Sequence, residues 1–289
     1  MTADSASRTA WGVARRRAAH QILDQPLVFR DPLAERIILD PTSPAISADV
    51  NSSGSRALRA FVAARSRYAE DQAAAFFRRG VTQYVVLGAG LDTFGYRNPY
   101  EPALKVFEVD HPNTQAWKRE RLRAAAIALP DSLTFVPVNF EDERLDTALR
   151  NTPEFDVTRP SFFSLLGVTP YLTKEAWVTT LQIAAGMPAG SGIAFDYAVP
   201  ASSLNPWEQV ALEMLSARVA RIGEPFRLFL DPREVSQLLG ELGFIDIEDL
   251  GQPEINALYF RDREDGLRIA SAAGRMLSAR VGTARANIV

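Results

Sequence analysis

The run Gln83-Tyr84-Val85-Val86-Leu87-Gly88-Ala89-Gly90-Leu91-Asp92-Thr93 decides how the rest of the chain is read. Its first five residues are of strand type and mostly apolar, and they pass directly into Gly-Ala-Gly. A strand buried on both faces reads as such an unbroken run, because a parallel sheet carries helices on either side. The glycines permit a tight turn and let a ligand lie against bare backbone. In an open α/β sheet, ligands settle outside the carboxyl ends of the strands, where the strand order reverses. The turn therefore marks a nucleotide-type site, with a plain strand-to-helix connection as the alternative. A dinucleotide site needs a third glycine three residues after the second, where a helix N-terminus meets the pyrophosphate. That position is Thr93. A pyrophosphate cradle, and with it a nicotinamide oxidoreductase, is disfavoured. A ligand with a nucleoside and no phosphate remains, and S-adenosylmethionine fits that description.

Composition narrows the class further. A chain of 289 residues suits one large α/β domain or two small ones. The net charge of -3, without a long basic stripe, argues against nucleic acid as a partner. Cysteine is absent and the histidines are two, His20 and His111, so thiol chemistry and a His/Cys zinc site are excluded and no metal is expected. No apolar run approaches the length of a membrane span, and a cytoplasmic protein is the default expectation.

Outward from the glycine turn, strands and helices alternate. Strands are expected at Gln83–Gly88, Lys105–Asp110, Thr134–Asn139, Ser161–Leu166 and Gly192–Tyr197, with a last, closely linked antiparallel pair at Ile245–Leu250 and Asn256–Phe260. Helices are expected at Pro112–Ala128, Arg144–Leu149, Lys174–Ala185 and Pro206–Arg221, and from Pro232 with Asp231 before it. Alternation of this kind gives a mostly parallel sheet with helices on both faces. Before the turn lie helices at Ala10–Asp24 and Pro32–Leu39, the latter with Asp31 as N-cap, and a long one at Arg56–Arg79 ended by Gly80. Residues 1–55 read as a helical cover or lid, and 56–289 as the ligand-binding domain, the two forming one unit.

Several residues could carry chemistry. On the long helix, Leu58, Val62, Arg65, Ala69 and Phe76 form one stripe that is apolar except for Arg65. A guanidinium there needs an anion, either an internal carboxylate or a ligand carboxylate. Asp110, at the second strand's tip and 20 positions past Gly90, stands where an acid grips ribose hydroxyls, or it caps the helix that Pro112 begins. Glu108, on the same side of the strand, could assist. Asn139 and Phe140 at the third strand's tip could read an adenine, with an ordinary loop as the alternative. Phe163 and Tyr171 offer aromatic faces to a sulfonium, or simply pack. Arg15-Arg16-Arg17 could attract an acidic acceptor, or form a solvated face.

Four motifs taken together go further: Ala64-Arg65-Ser66-Arg67-Tyr68, Leu87-Gly88-Ala89-Gly90-Leu91-Asp92-Thr93, Phe107-Glu108-Val109-Asp110-His111-Pro112 and Gly167-Val168-Thr169-Pro170-Tyr171-Leu172-Thr173. In this order the chain resembles the leucine carboxyl methyltransferase family, in the bacterial branch that includes polyketide-pathway and actinobacterial members. Ser7-Arg8-Thr9-Ala10 and Asp31-Pro32-Leu33-Ala34 are similar to that branch too. The resemblance implies a class I methyltransferase fold, with a seven-stranded, mostly parallel Rossmann-like sheet and one antiparallel strand. It also implies S-adenosyl-L-methionine as cofactor. Arg65 would hold the methionine carboxylate, Gly88, Ala89 and Gly90 would pass beneath the methionine moiety, Asp110 would bind the ribose, and Asn139 with Phe140 would meet the adenine. Two positions depart from the family pattern: Leu166 stands where many members have glutamate, and Asn139 where many have aspartate. The expected reaction is methyl transfer to an oxygen, with the carboxylate of a small, acidic molecule as acceptor. A phenol acceptor would require a base such as His20, and a non-catalytic cofactor-binding protein is the reading from another class.

Overall fold

The computed structural model describes residues 8–39, 53–139, 144–221 and 223–283. At its centre is a seven-stranded sheet in the order β3-β2-β1-β4-β5-β7-β6. The strands are β1 (Gln83–Leu87), β2 (Lys105–Asp110), β3 (Leu133–Pro137), β4 (Ser161–Leu165), β5 (Gly192–Ala198), β6 (Phe244–Leu250) and β7 (Gly274–Val281). β7 runs antiparallel to both of its neighbours, and the pairings among β1 to β5 are parallel. Every residue of β1, β4 and β5 is buried, which is why their sequences are unbroken apolar runs and not alternations.

The helices are α1 (Arg8–Leu23), α2 (Ala34–Ile38), α3 (Ser53–Arg78), α4 (Pro112–Ala124), α5 (Leu145–Arg150), α6 (Lys174–Ala185), α7 (Pro206–Arg221), α8 (Pro232–Glu241) and α9 (Gln252–Tyr259). On one face of the sheet, Trp177 and Leu181 of α6 and Val235 and Leu239 of α8 pack with Val85, Phe163 and Phe195. On the other, Tyr68, Ala73 and Phe76 of α3 pack with Tyr84, Val86, Phe162 and Ala194. The Phe76 and Phe162 rings stack 4.8 Å apart, and Phe76 fills the space a side chain at Gly192 would need. A third cluster joins Ala14, Ala18, Ile37 and Ile38 of α1 and α2 to Leu91 and Leu122. Among the described residues no helix is long and apolar enough to cross a membrane.

One expected element is of the wrong type. Asn256–Phe260 is not the last strand: it belongs to α9, and the strand beside β6 is β7, residues 274–281. The local signal for a helix was present. Pro253 sits in the first turn, and the Glu254 carboxylate accepts from the Gly251 N–H at 3.0 Å. The link between β6 and β7 is therefore a helix and not a hairpin. Elsewhere local chemistry acts as the sequence suggests: the Asp231 side chain caps α8 by accepting from Arg233 N at 2.8 Å.

Candidate functional site

The strand order reverses between β1 and β4, and the loops beyond their carboxyl ends define the site. After β1 the chain holds Gly88 at φ +64 and Gly90 at φ +45, a region that disfavours residues with a Cβ. The Gly88 and Ala89 N–H groups donate to the carbonyl of Val109 at 2.8 and 3.2 Å, which ties the turn to β2. The Gly90 N–H donates to Asp110 Oδ2 at 2.6 Å, and the His111 N–H donates to Oδ1 at 2.7 Å. Gly88, Ala89, Gly90 and Asp110 are thus brought to one place. Burial raises the Asp110 pKa against the lowering effect of those two backbone donors. Val168, which follows Gly167 after β4, occupies the space of a Cβ at Gly88, and the Cβ of Ala10 of α1 lies 3.2 Å from where one at Gly90 would stand. The turn is walled on two sides by small apolar groups.

Arg65 reaches the same edge from α3. It is 8% exposed, and its Nη1 donates to Asp196 Oδ2 of β5 at 3.0 Å. The other Asp196 oxygen, Oδ1, accepts from the Gly167 N–H at 2.5 Å. The internal carboxylate considered for Arg65 therefore exists. The Arg65 guanidinium lies flat against Gly167, where an added Cβ would come within 2.9 Å of its Cζ. Gly167, at φ +68, accommodates it. Tyr171 stands near both charges, and burial raises its pKa; its ring packs 5.3 Å from that of Phe226. Asp196 was missed in the sequence, although a lone acid inside Ile193-Ala194-Phe195-Asp196-Tyr197 is a visible irregularity in a buried strand.

Other candidates go elsewhere. Glu108 does not assist Asp110: its Oε2 meets Lys118 Nζ at 2.7 Å and accepts from Tyr96 Oη at 3.0 Å, inside the packing between β2 and α4. Burial pushes its pKa up to about 6 although the Lys118 ammonium opposes the shift. His20 is fully buried; Nε2 accepts from Val28 and Phe29 N–H at 3.1 and 3.2 Å, so the proton is on Nδ1, which faces Asp24 at 2.8 Å. Asp24 also pairs with Arg59, and although burial opposes it these partners hold Asp24 down at about 2. His111 caps α4, its Nδ1 accepting from Asn113 N at 3.2 Å. Phe163 is a core residue, 1% exposed. Asn139 lies at the end of the third strand's loop, and Phe140 lies outside the described residues.

Thr93 explains the missing third glycine. Its hydroxyl is fully buried, donates to Asp31 Oδ2 at 2.7 Å and accepts from Arg17 Nη2 at 3.0 Å and Arg97 Nε at 3.1 Å. Asp31 pairs with Arg17 at 2.6 Å and Arg97 at 3.3 Å, and Arg97 continues to Glu70 of α3 at 2.9 Å. Burial alone would raise Asp31, but the two guanidiniums outweigh it and hold its pKa below the ordinary range. Asp31 also accepts from Leu33 N at 3.1 Å, a turn contact just ahead of α2. Arg17, expected either on a solvated face or facing an acceptor, is 4% exposed and binds the carbonyl of Leu91 at 3.2 Å. The chain after Gly90 enters only a short 3₁₀ turn, Phe94–Tyr96, and the pyrophosphate-binding helix of a dinucleotide site is not formed there.

An acceptor-only carboxylate facing a left-handed glycine turn fits vicinal hydroxyls, and a guanidinium–carboxylate pair next to it fits an amino-acid zwitterion. S-adenosylmethionine presents both groups. Residues 10–185 match the model of the leucine carboxyl methyltransferase family. YktD of Bacillus subtilis (strain 168), described as an S-adenosyl-L-methionine-dependent methyltransferase, is 33% identical over 92% of this chain and 95% of its own length. Two solved structures share the fold: a DUF574 family protein from Streptomyces avermitilis, with TM-score 0.61 and 16% identity over 92% of this chain and 96% of that one, and a protein from Thermobifida fusca YX described as a methyltransferase, with TM-score 0.58 and 17% identity over 93% and 94%. The chain belongs to the leucine carboxyl methyltransferase family of S-adenosylmethionine-dependent methyltransferases. The enzyme class, cofactor and class I fold expected from the four motifs are those of this family.

Proposed function

We propose that the chain methylates the carboxylate of a small acidic molecule in the cytoplasm, with residues 1–55 and 56–289 acting as one unit. In this reading Asp110 accepts from the ribose hydroxyls, Gly88, Ala89 and Gly90 pass beneath the methionine moiety, Arg65 faces its carboxylate, and Asn139 and Phe140 meet the adenine. When bound, the cofactor supplies a sulfonium methyl that an oxygen nucleophile displaces in line. The residues' task is to align the two reactants and exclude water.

The observation that carries the carboxylate reading is the commitment of both histidines: His20 uses both ring nitrogens internally, and His111 caps α4. A carboxylate, with a pKa near 4, is already ionised at neutral pH and needs no base, whereas a phenol near 10 does. The test is methyl transfer from isotopically labelled cofactor to matched panels of carboxylic acids and phenols. The expected product is a methyl ester, whose label is released by mild base. Base-stable label on phenols alone would contradict the reading, and no transfer to any acceptor would favour a cofactor-binding protein without activity.

A further inference from the structure

Arg65 and Asp196 make a second recognition element that the glycine motif does not announce. Asp196 is a charged residue inside a strand whose every position is buried, and it is itself 4% exposed. Such a group stays ionised only when partners replace its water. It has two: the Gly167 N–H on Oδ1 and Arg65 Nη1 on Oδ2. A carboxylate offers about four lone-pair sites and a guanidinium five N–H groups. The contact between them uses one of each, so neither is saturated by the other.

The place of the pair is informative. Other buried acids are locked inside the packing: Asp24 by Arg59 and His20, Asp31 by Arg17, Arg97 and Thr93, Glu108 by Lys118 and Tyr96. The Arg65–Asp196 pair instead lies against Gly167, and the next residue, Val168, packs on Gly88. It therefore borders the turn that holds Asp110, beyond the carboxyl ends of β4 and β5.

We infer that Arg65 and Asp196 together recognise the zwitterionic amino-acid end of the cofactor, with Asp196 accepting from its α-ammonium. The inference rests on the S-adenosylmethionine reading of the site. An isolated anion brought here meets Asp196, and an isolated cation meets Arg65. Only a ligand with both charges on neighbouring atoms gains from both, and an α-amino acid has that spacing. Because Leu166 is apolar, this charge comes from β5 and not from the end of β4.

The experiment is calorimetric titration of the full chain with three ligands: S-adenosylhomocysteine, its analogue with hydrogen in place of the α-amino group, and 5′-methylthioadenosine, which lacks the amino-acid end. Wild type should bind the deamino analogue on the order of 10- to 100-fold more weakly than S-adenosylhomocysteine, the range of a charge-assisted bond. Asp196→Asn should lose a similar factor for S-adenosylhomocysteine and change little for the other two, so the preference for the ammonium disappears. Equal affinity of wild type for the first two ligands overturns the inference, and that comparison needs no variant to fold. Equal weakening of all three in Asp196→Asn also overturns it, by showing a structural role. Binding of 5′-methylthioadenosine without any gain from the amino-acid end leaves the adenosine site standing and removes this one. No binding of any ligand removes the cofactor reading as well.

Discussion

Asp110 and Asp196 stand at two strand ends and do the same local thing: each carboxylate takes the N–H of a glycine in a neighbouring strand's loop, Gly90 at 2.6 Å and Gly167 at 2.5 Å. Their other oxygens differ. That of Asp110 accepts from the His111 backbone, and that of Asp196 faces the Arg65 guanidinium. The first arrangement leaves an anion that suits hydroxyl donors. The second makes a charge pair that suits a zwitterion. One fold edge thus presents two chemistries through the same loop-anchoring device, and the second shell of partners decides which ligand group each aspartate can take.

The comparison can be broken most sharply at Asp110. Asp110→Ala should weaken S-adenosylhomocysteine binding by about 3 kcal/mol, roughly 100-fold, through the loss of two hydroxyl-to-carboxylate bonds. Asp110→Asn, which keeps an acceptor, should lose about tenfold. Titration calorimetry reads both, and an alanine variant within twofold of wild type would remove Asp110 from the site.

Away from the ligand, the network around Thr93 should matter for folding alone. Thr93→Val strands Asp31, Arg17 and Arg97 without their shared hydroxyl. Denaturant unfolding should show a loss of about 1–3 kcal/mol, with the affinity of the folded variant for S-adenosylhomocysteine within a few-fold. A drop in affinity as large as that of Asp110→Ala would mean that the network belongs to the ligand site.

Glu108 sharpens the contrast between an acid turned to the ligand and one turned to the core. Its folded pKa is raised to about 6, so the folded state binds its proton more tightly than the unfolded chain does. The stabilisation is complete below the ordinary glutamate value and is lost as pH rises through about 6, to the extent of about 2 kcal/mol. Glu108→Gln should flatten stability against pH between about 4.5 and 6.5, measured by denaturant unfolding. An unchanged profile would assign the titration to another group.

The smallest effect expected is in the cover. The middle of α1 is pinned by Arg17 to Asp31, while its first residues meet Gly90 through Ala10 and Glu224 through the Arg8 and Thr9 N–H groups at 3.1 and 3.2 Å. Hydrogen exchange with and without S-adenosylhomocysteine should show added protection at residues 8–12 and little at 14–23. Equal protection throughout would argue that the cover does not close on the ligand.

The legible parts of this molecule are those whose physics is local or periodic. Gln83–Leu87 is buried on both faces and reads as a strand in any context, and Asp110 is found by its offset from the glycine turn. Asp196 has no such offset: its partner Arg65 is 131 positions away, and only the oddity of an acid in an apolar strand points to it. Arg17 reads as part of a solvated run because nothing near it in sequence reveals Asp31 and Thr93 as its partners. β7, Gly274–Val281, carries Arg275 and Arg280 among its apolar residues, since Asp249 and Asp246 of β6 pair with them; without β6 in place the segment does not look like a strand.

The most direct test is a crystal structure of the chain with S-adenosylhomocysteine. The ribose should lie on Asp110 beside Gly88–Gly90, and the amino-acid end should reach Arg65 with its ammonium toward Asp196. Adenosine bound away from the glycine turn, or an Arg65–Asp196 pair packed shut with the ligand's amino acid directed elsewhere, would contradict the account.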